Sequence, residues 1–160
     1  MSKEDDITPS KKLVSIRIRD SHRNSVQQLA ARLLVKESKL YRLAINILLS
    51  KLKDLQHQNL AGSDLLPLFL NLRGQFTDDL DLKPLQLFRV INRLNADPNK
   101  FVALNDVELL LTKEHLLRER LMSLRETHPY KDTNTDQWLQ NYLLSKYSML
   151  VSIEPTSSEH

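Results

Sequence analysis

One short segment of alternating side chains limits the folds open to this chain more than any other feature. Within residues 12–19, apolar and polar side chains follow each other in the order Val14, Ser15, Ile16, Arg17, Ile18 and Arg19. Such alternation predicts a β-strand with one buried face. A lone strand needs a partner, and no second alternating segment lies nearby. We therefore expect the strand to pair with the same strand of a second copy of the chain.

The apolar spacing changes from two residues to three and four directly after this strand. A first helix is predicted over residues 21–34, because one face carries Val26, Leu29, Ala30 and Leu33. The pattern breaks across residues 35–38, and a second helix is predicted from the stripe Leu40, Leu43, Ala44, Ile47, Leu48 and Leu52. The order is strand, helix, turn, helix. Its expected core is Val14, Ile16, Ile18, Leu29, Leu33, Ala44 and Leu48.

Positive charge is concentrated in the same part of the chain. Residues 11–53 carry eleven Lys and Arg but only Asp20 and Glu37 as acids, a net charge of +9 in a protein whose total is +3. Such an asymmetry predicts a compact nucleic-acid-binding module joined to a near-neutral or acidic body.

Residues 11–52 resemble the ribbon-helix-helix family of DNA-binding proteins, which form intertwined dimers around a two-stranded antiparallel ribbon. The resemblance implies that the ribbon enters the major groove and that its outward side chains read base edges. By position, those readers are Ser15, Arg17 and Arg19. Arginine suits this role because its planar fork can donate two hydrogen bonds to guanine.

The same resemblance implies that the start of the second helix holds a DNA phosphate with its backbone N–H groups. The expected phosphate-binding residues are Lys11, Lys12, Lys36, Ser38 and Lys39. The chain departs from the family in two places. Leu34 occupies the turn where the family usually has glycine, and the Glu37 carboxylate lies close to the expected phosphate.

The remainder of the chain is predicted to be a second, all-helical domain, so the fold class is mainly α. The predicted domains are 11–55 and 63–153, between a disordered arm, 1–10, and a disordered tail, 154–160. The expected helices cover residues 64–72, capped by Ser63 and ended by Gly74, then 84–94, and then 105–126 with an Asn105–Glu108 capping box. One face of the 84–94 helix carries Leu87, Val90, Ile91 and Leu94, and one side of the 105–126 helix carries Val107, Leu110, Leu111, Leu117, Leu121 and Leu124. A last helix includes Trp138, Leu139, Tyr142, Leu143, Tyr147 and Leu150.

Several classes of function lack support in the sequence. The chain has no cysteine, so disulfides, thiolate nucleophiles and cysteine zinc sites are excluded. We find no phosphate-binding glycine loop, metal-binding motif or nucleophile motif, and expect no catalytic residues, cofactor or metal. No apolar stretch reaches the roughly 20 residues of a membrane helix, and the expected location is the cytoplasm.

The function that the sequence predicts is sequence-specific binding of double-stranded DNA by a dimer, most commonly as a repressor. A plasmid partition protein, a relaxosome accessory protein or an antitoxin has the same DNA-binding part and differs in the partner of its second domain. A protein-interaction adaptor without specific DNA binding is the alternative from another class. The second domain is expected to bind a protein partner or effector, or to join two dimers as a tetramer.

Overall fold

The computed structural model describes residues 10–93, 97–124 and 134–151, with side chains as far as Ser148, and this part of the chain is mainly helical. It divides into two compact units, the first ending at Leu48 and the second beginning at Leu49. That residues 11–55 and 63–153 fold as two separate domains stays a prediction. The expected disordered tail, and all but Ser10 of the expected arm, lie outside the described residues.

The first unit contains two helices, α1 (Asp20–Leu33) and the greater part of α2 (Glu37–Lys51). Both helices were predicted, although α2 begins inside the expected break. Residues 10–19 precede α1 without helix, and no strand occurs among the described residues. The predicted strand is therefore not seen in a single copy, which offers the segment no second strand to pair with.

A left-handed residue makes the turn between α1 and α2. Leu34 has φ 55° and ψ 39°. Two backbone hydrogen bonds end α1 here: the Leu34 N–H donates to the Ala31 carbonyl at 3.2 Å, and the Val35 N–H donates to the Ala30 carbonyl at 3.0 Å. Glycine usually occupies such a position because it has no Cβ to clash with the following carbonyl. The leucine therefore adopts a conformation that glycine would adopt without strain.

A single copy does not bury the apolar residues predicted as the core of the first unit. Val14, Ile16, Leu29, Leu33, Ala44 and Leu48 are all exposed, and Ile18 is half-buried. Ala30 is the one buried residue of α1, and α2 has none. The prediction that these side chains form the core of the first unit is therefore wrong for a single copy. They would form a core only if another molecule covered them.

The second unit contains seven helices, of 4 to 17 residues, and two 3₁₀ turns within the described residues. They are α3 (Lys53–Gln56), a 3₁₀ turn (Gly62–Leu65), α4 (Leu66–Asn71), α5 (Arg73–Asp78), α6 (Pro84–Ile91), a 3₁₀ turn (Pro98–Lys100), α7 (Leu104–Leu111), α8 (Glu114–Ser123) and α9 (Thr135–Val151). None of the helices in the described ranges is long and apolar enough to cross a membrane.

The core of the second unit confirms the apolar stripes predicted for its helices. The fully or almost fully buried side chains from those stripes are Leu87, Ile91, Val107, Leu110, Leu117, Leu121, Trp138, Leu139, Leu143 and Tyr147. They join Leu65, Leu66, Phe69 and Phe76 from the chain before α6. Two predicted members, Leu94 and Leu150, lie outside the described side chains.

Four local predictions in the second unit are wrong. Gly74 lies inside α5 and does not end a helix. Ala103, not Asn105, is the N-cap residue of α7, and Ala61, not Ser63, precedes the first 3₁₀ turn; neither alanine can cap through its side chain. The single helix predicted for 105–126 is two helices, because the chain becomes extended at Thr112 and Lys113.

Candidate nucleic-acid interface

The predicted base-reading residues lie on the non-helical segment that leads into α1. Ser15, Arg17 and Arg19 are exposed, as are Lys11 and Lys12 before them. Arg19 is the N-cap residue of α1 and has an extended backbone, with φ −61° and ψ 142°. The segment is thus in an extended conformation where it meets the helix, and its charged side chains are accessible to a ligand.

Three of the predicted phosphate-binding residues, Lys36, Ser38 and Lys39, lie together at the start of α2. Lys36 directly precedes the helix, and its carbonyl accepts a 2.9 Å hydrogen bond from the Lys39 N–H. Lys36, Ser38 and Lys39 are exposed, whereas Glu37 is half-buried. A helix N-terminus has unpaired N–H groups and the positive end of the helix dipole, which attract an anion.

Within the described residues, the basic side chains of the first unit form no ion pairs. The nine Lys and Arg between residues 11 and 48 are all exposed, as are Lys51 and Lys53 just beyond this unit. The ion pairs found in the described part of the chain all lie in the second unit, beyond residue 60. The described part of the first unit therefore carries exposed positive charge, which attracts anions.

The second unit has a buried polar cluster that sequence reasoning missed. The Asp106 carboxylate, 3% exposed, accepts hydrogen bonds from the hydroxyls of Tyr147 at 2.5 Å and Tyr142 at 3.2 Å. The Lys146 ammonium lies 3.0 Å from the same carboxylate and donates to the Tyr142 oxygen at 3.2 Å. The cluster joins the first turn of α7 to the C-terminal half of α9.

The cluster changes the ionisation of its members. Burial and the hydrogen bond to Asp106 raise the pKa of Tyr147 above its ordinary value. Burial also raises the pKa of Tyr142. Burial lowers the pKa of Lys146, but hydrogen bonds to Asp106 and Tyr142 outweigh it, and the net shift is upward. These shifts favour protonated Lys146 and neutral tyrosines. The cluster is therefore suited to joining α7 to α9 and not to acting as a general base.

A second buried contact involves Arg73, whose side chain is 10% exposed. It donates to the Asp136 carboxylate at 2.7 Å, at the start of α9, and to the backbone carbonyl of Thr112, at the end of α7. A guanidinium at this place complements the negative end of the α7 dipole. The contact gives the carbonyl of Thr112, the C-cap residue of α7, a hydrogen-bond donor from outside the helix.

A groove of about 680 Å³ lies on the second unit, in the size range of sites for small ligands. Its walls include the apolar side chains of Leu60, Pro67 and Leu144. The Lys100 ammonium and the Asp64 carboxylate pair at 2.8 Å in the same lining. Among the described residues, no group of three or more His, Asp or Glu side chains has the arrangement needed to hold a metal ion.

Comparison of the chain with protein-family models, curated proteins and solved structures finds no match.

Proposed function

We propose that this chain is a sequence-specific double-stranded DNA-binding protein that acts as a dimer of the ribbon-helix-helix kind, with the role of a repressor. One observation carries the proposal. The unit with the highest positive charge leaves its large apolar side chains exposed in a single copy, including Val14 at 77%, Ile16 at 69% and Leu33 at 57%.

A second copy of the chain is the partner that accounts for this exposure. Each large apolar side chain that a partner fully buries contributes about 1.5–3 kcal/mol. Antiparallel pairing of residues 12–19 from two copies would also satisfy backbone N–H and C=O groups that one copy leaves to water. In a two-fold dimer, one interface would bury the exposed apolar side chains and also pair these backbone groups.

In such a dimer the odd-numbered side chains of the two paired segments form one outward face. Arg17 and Arg19 would each donate two hydrogen bonds to a guanine, and Ser15 would bond a neighbouring base. Lys11 and Lys12, with the Lys36–Lys39 stretch at the start of α2, would contact phosphates and fix the position of the ribbon. The second unit would bind an effector or a protein partner, or join two dimers. Its groove is the candidate site for a small effector.

The testing experiment is selection of random duplex DNA by the purified protein at near-physiological salt. We expect enrichment of a short repeated or palindromic motif, lost in the Arg17→Ala/Arg19→Ala variant. The matched control is Arg89→Ala/Arg118→Ala, which removes the same charge from exposed arginines of the second unit. Sedimentation of the free protein should give a dimer, and log affinity should fall linearly with log salt.

Two results would contradict the proposal. Loss of enrichment in the control pair as well would mean that charge, and not ribbon position, determines binding. No enrichment by the wild-type protein would favour the adaptor, whose basic unit contacts an acidic protein partner. The repressor is separated from a partition, relaxosome or antitoxin protein by where the selected motif lies relative to a promoter and by what the second unit binds.

A further inference from the structure

We infer that the groove of the second unit binds a small ligand with an apolar body and a primary ammonium group, and that the carboxylate of Asp54 pairs with this ammonium. The inference deepens the proposed function and, in calling the ligand an effector, rests on it. All the lining residues of the groove lie beyond Leu49, so the site belongs to the second unit alone. Binding of the ligand can therefore be measured without DNA.

The walls of the groove favour an apolar ligand body. The volume of about 680 Å³ falls in the range of sites for small ligands. Among the apolar side chains of the lining, Leu60 and Leu144 are half-buried and Pro67 is exposed, so they keep part of their surface in contact with water. A ligand that covers this surface removes apolar area from water on both sides, which favours binding.

The charges in the groove favour a cation over an anion. The lining contains one lysine, Lys100, and two aspartates, Asp54 and Asp64, a net charge of −1. Asp64 is neutralised by Lys100, whose ammonium lies 2.8 Å from its carboxylate. The Asp54 carboxylate makes no ion pair or hydrogen bond within the described residues. Charge complementarity therefore directs a cationic group to Asp54.

The surroundings of Asp54 strengthen an ion pair at this place. The residue lies in α3 and is half-buried, so water and salt screen its charge less than that of a fully exposed carboxylate. A primary ammonium has three N–H donors, so it can donate to Asp54 and remain hydrated through the others. The Tyr147 hydroxyl, also in the lining, is already bonded to Asp106 and to the Ala103 N–H, which leaves Asp54 as the anchoring group.

The test compares three probes that have the same chain length and differ in their head group. n-Hexylamine carries an ammonium, hexan-1-ol is uncharged, and hexanoate has the opposite charge. In ligand-observed NMR titrations of the full-length protein without DNA, we expect hexylamine to bind about tenfold more tightly than hexanol, the effect of one charge-assisted hydrogen bond. Hexanoate should bind more weakly than hexanol. Shortening the amine should lower its affinity about fourfold for each methylene group removed.

The Asp54→Asn variant keeps the shape of the side chain and removes its charge, so it should bind hexylamine and hexanol about equally. Asp78→Asn is the matched control, since Asp78 is an exposed aspartate of the second unit outside the groove lining, and it should keep the wild-type ratio.

Three results would overturn the inference. They are binding of hexanol or hexanoate as tight as that of hexylamine, a wild-type ratio in Asp54→Asn, and binding of none of the probes. Each of them leaves the proposed function standing if selection of random DNA still gives a motif that depends on Arg17 and Arg19. Absence of a motif would instead overturn the proposed function and leave amine binding at Asp54 standing.

Discussion

The hydroxyl of Tyr147 donates a 2.5 Å hydrogen bond to the carboxylate of Asp106, and this contact joins two helices across 41 residues of sequence. The same hydroxyl accepts a 3.0 Å hydrogen bond from the N–H of Ala103, the N-cap residue of α7. One oxygen atom thus satisfies a buried carboxylate and a free N–H group at a helix start. The Asp106 cluster is therefore the main polar contact between α7 and α9.

Replacing Tyr147 by phenylalanine should lower the free energy of unfolding of the second unit by about 2 kcal/mol, because a buried carboxylate loses a donor. Urea unfolding at pH 7 measures the loss, and the fluorescence of Trp138, which is the protein's single tryptophan and is 5% exposed, reports on this unit. Tyr142→Phe is the control. Its bond to Asp106 is longer, at 3.2 Å, and its loss should be smaller. Equal losses would contradict the assigned roles.

The second unit should lose stability in alkaline solution. The folded state raises the pKa values of Tyr147 and Lys146, so it holds their protons more tightly than the unfolded chain does. The stabilisation is complete below the ordinary values of 10.0 and 10.5 and is lost as the pH rises through the folded-state values. Above about pH 10 the free energy of unfolding should fall by up to about 1.4 kcal/mol per pH unit for each proton.

Urea unfolding between pH 8 and 11 tests this expectation. Tyr147→Phe removes one of the titrating groups, so its stability should fall less steeply with pH than that of the wild-type protein. Parallel curves for the two proteins would show that Tyr147 does not carry the alkaline loss.

The core of the second unit was predictable because each apolar stripe is local. Val107, Leu110, Leu117 and Leu121 were placed on one side of their segment from spacing alone, and all are buried. The contact of Arg73 with the carbonyl of Thr112, where α7 ends, was not predictable, because the two residues lie 39 positions apart in the sequence. The Asp106 cluster was missed for the same reason. The spacing of Tyr142 and Lys146 is visible in the sequence, but their carboxylate partner is not.

In the first unit, the sequence predicts the helices but not what covers their apolar faces. Its two helices and the position of the turn were predicted, but the apolar residues taken as its core are exposed in one copy. Spacing tells which side chains share a face, and it does not tell which molecule covers that face. The base-reading roles of Ser15, Arg17 and Arg19 remain a prediction for the same reason, since they depend on a partner strand and on DNA.

The two glycines of the chain should respond to alanine in opposite directions. Gly62 has φ +61°, and a Cβ there would overlap the backbone carbonyl of Lys100. Gly62→Ala should therefore destabilise the second unit by about 3 kcal/mol. Gly74 lies in α5 with nothing within 4 Å of a Cβ, so Gly74→Ala should stabilise it by about 0.5–1 kcal/mol. Urea unfolding followed by Trp138 fluorescence measures both; destabilisation by Gly74→Ala would contradict its position inside a helix.

Leu34→Gly should stabilise the first unit by about 0.5–1 kcal/mol. A left-handed conformation costs a non-glycine residue about 1–2 kcal/mol, partly offset by the greater freedom of glycine in the unfolded chain. The leucine side chain is 92% exposed, so a single copy loses little packing. Hydrogen exchange of the α1 and α2 amides, at one chain concentration, measures the change. Ala31→Gly, inside the last turn of α1, is the control and should destabilise the unit by about 1 kcal/mol. Destabilisation by Leu34→Gly would mean that this leucine packs in the dimer strongly enough to outweigh its strain.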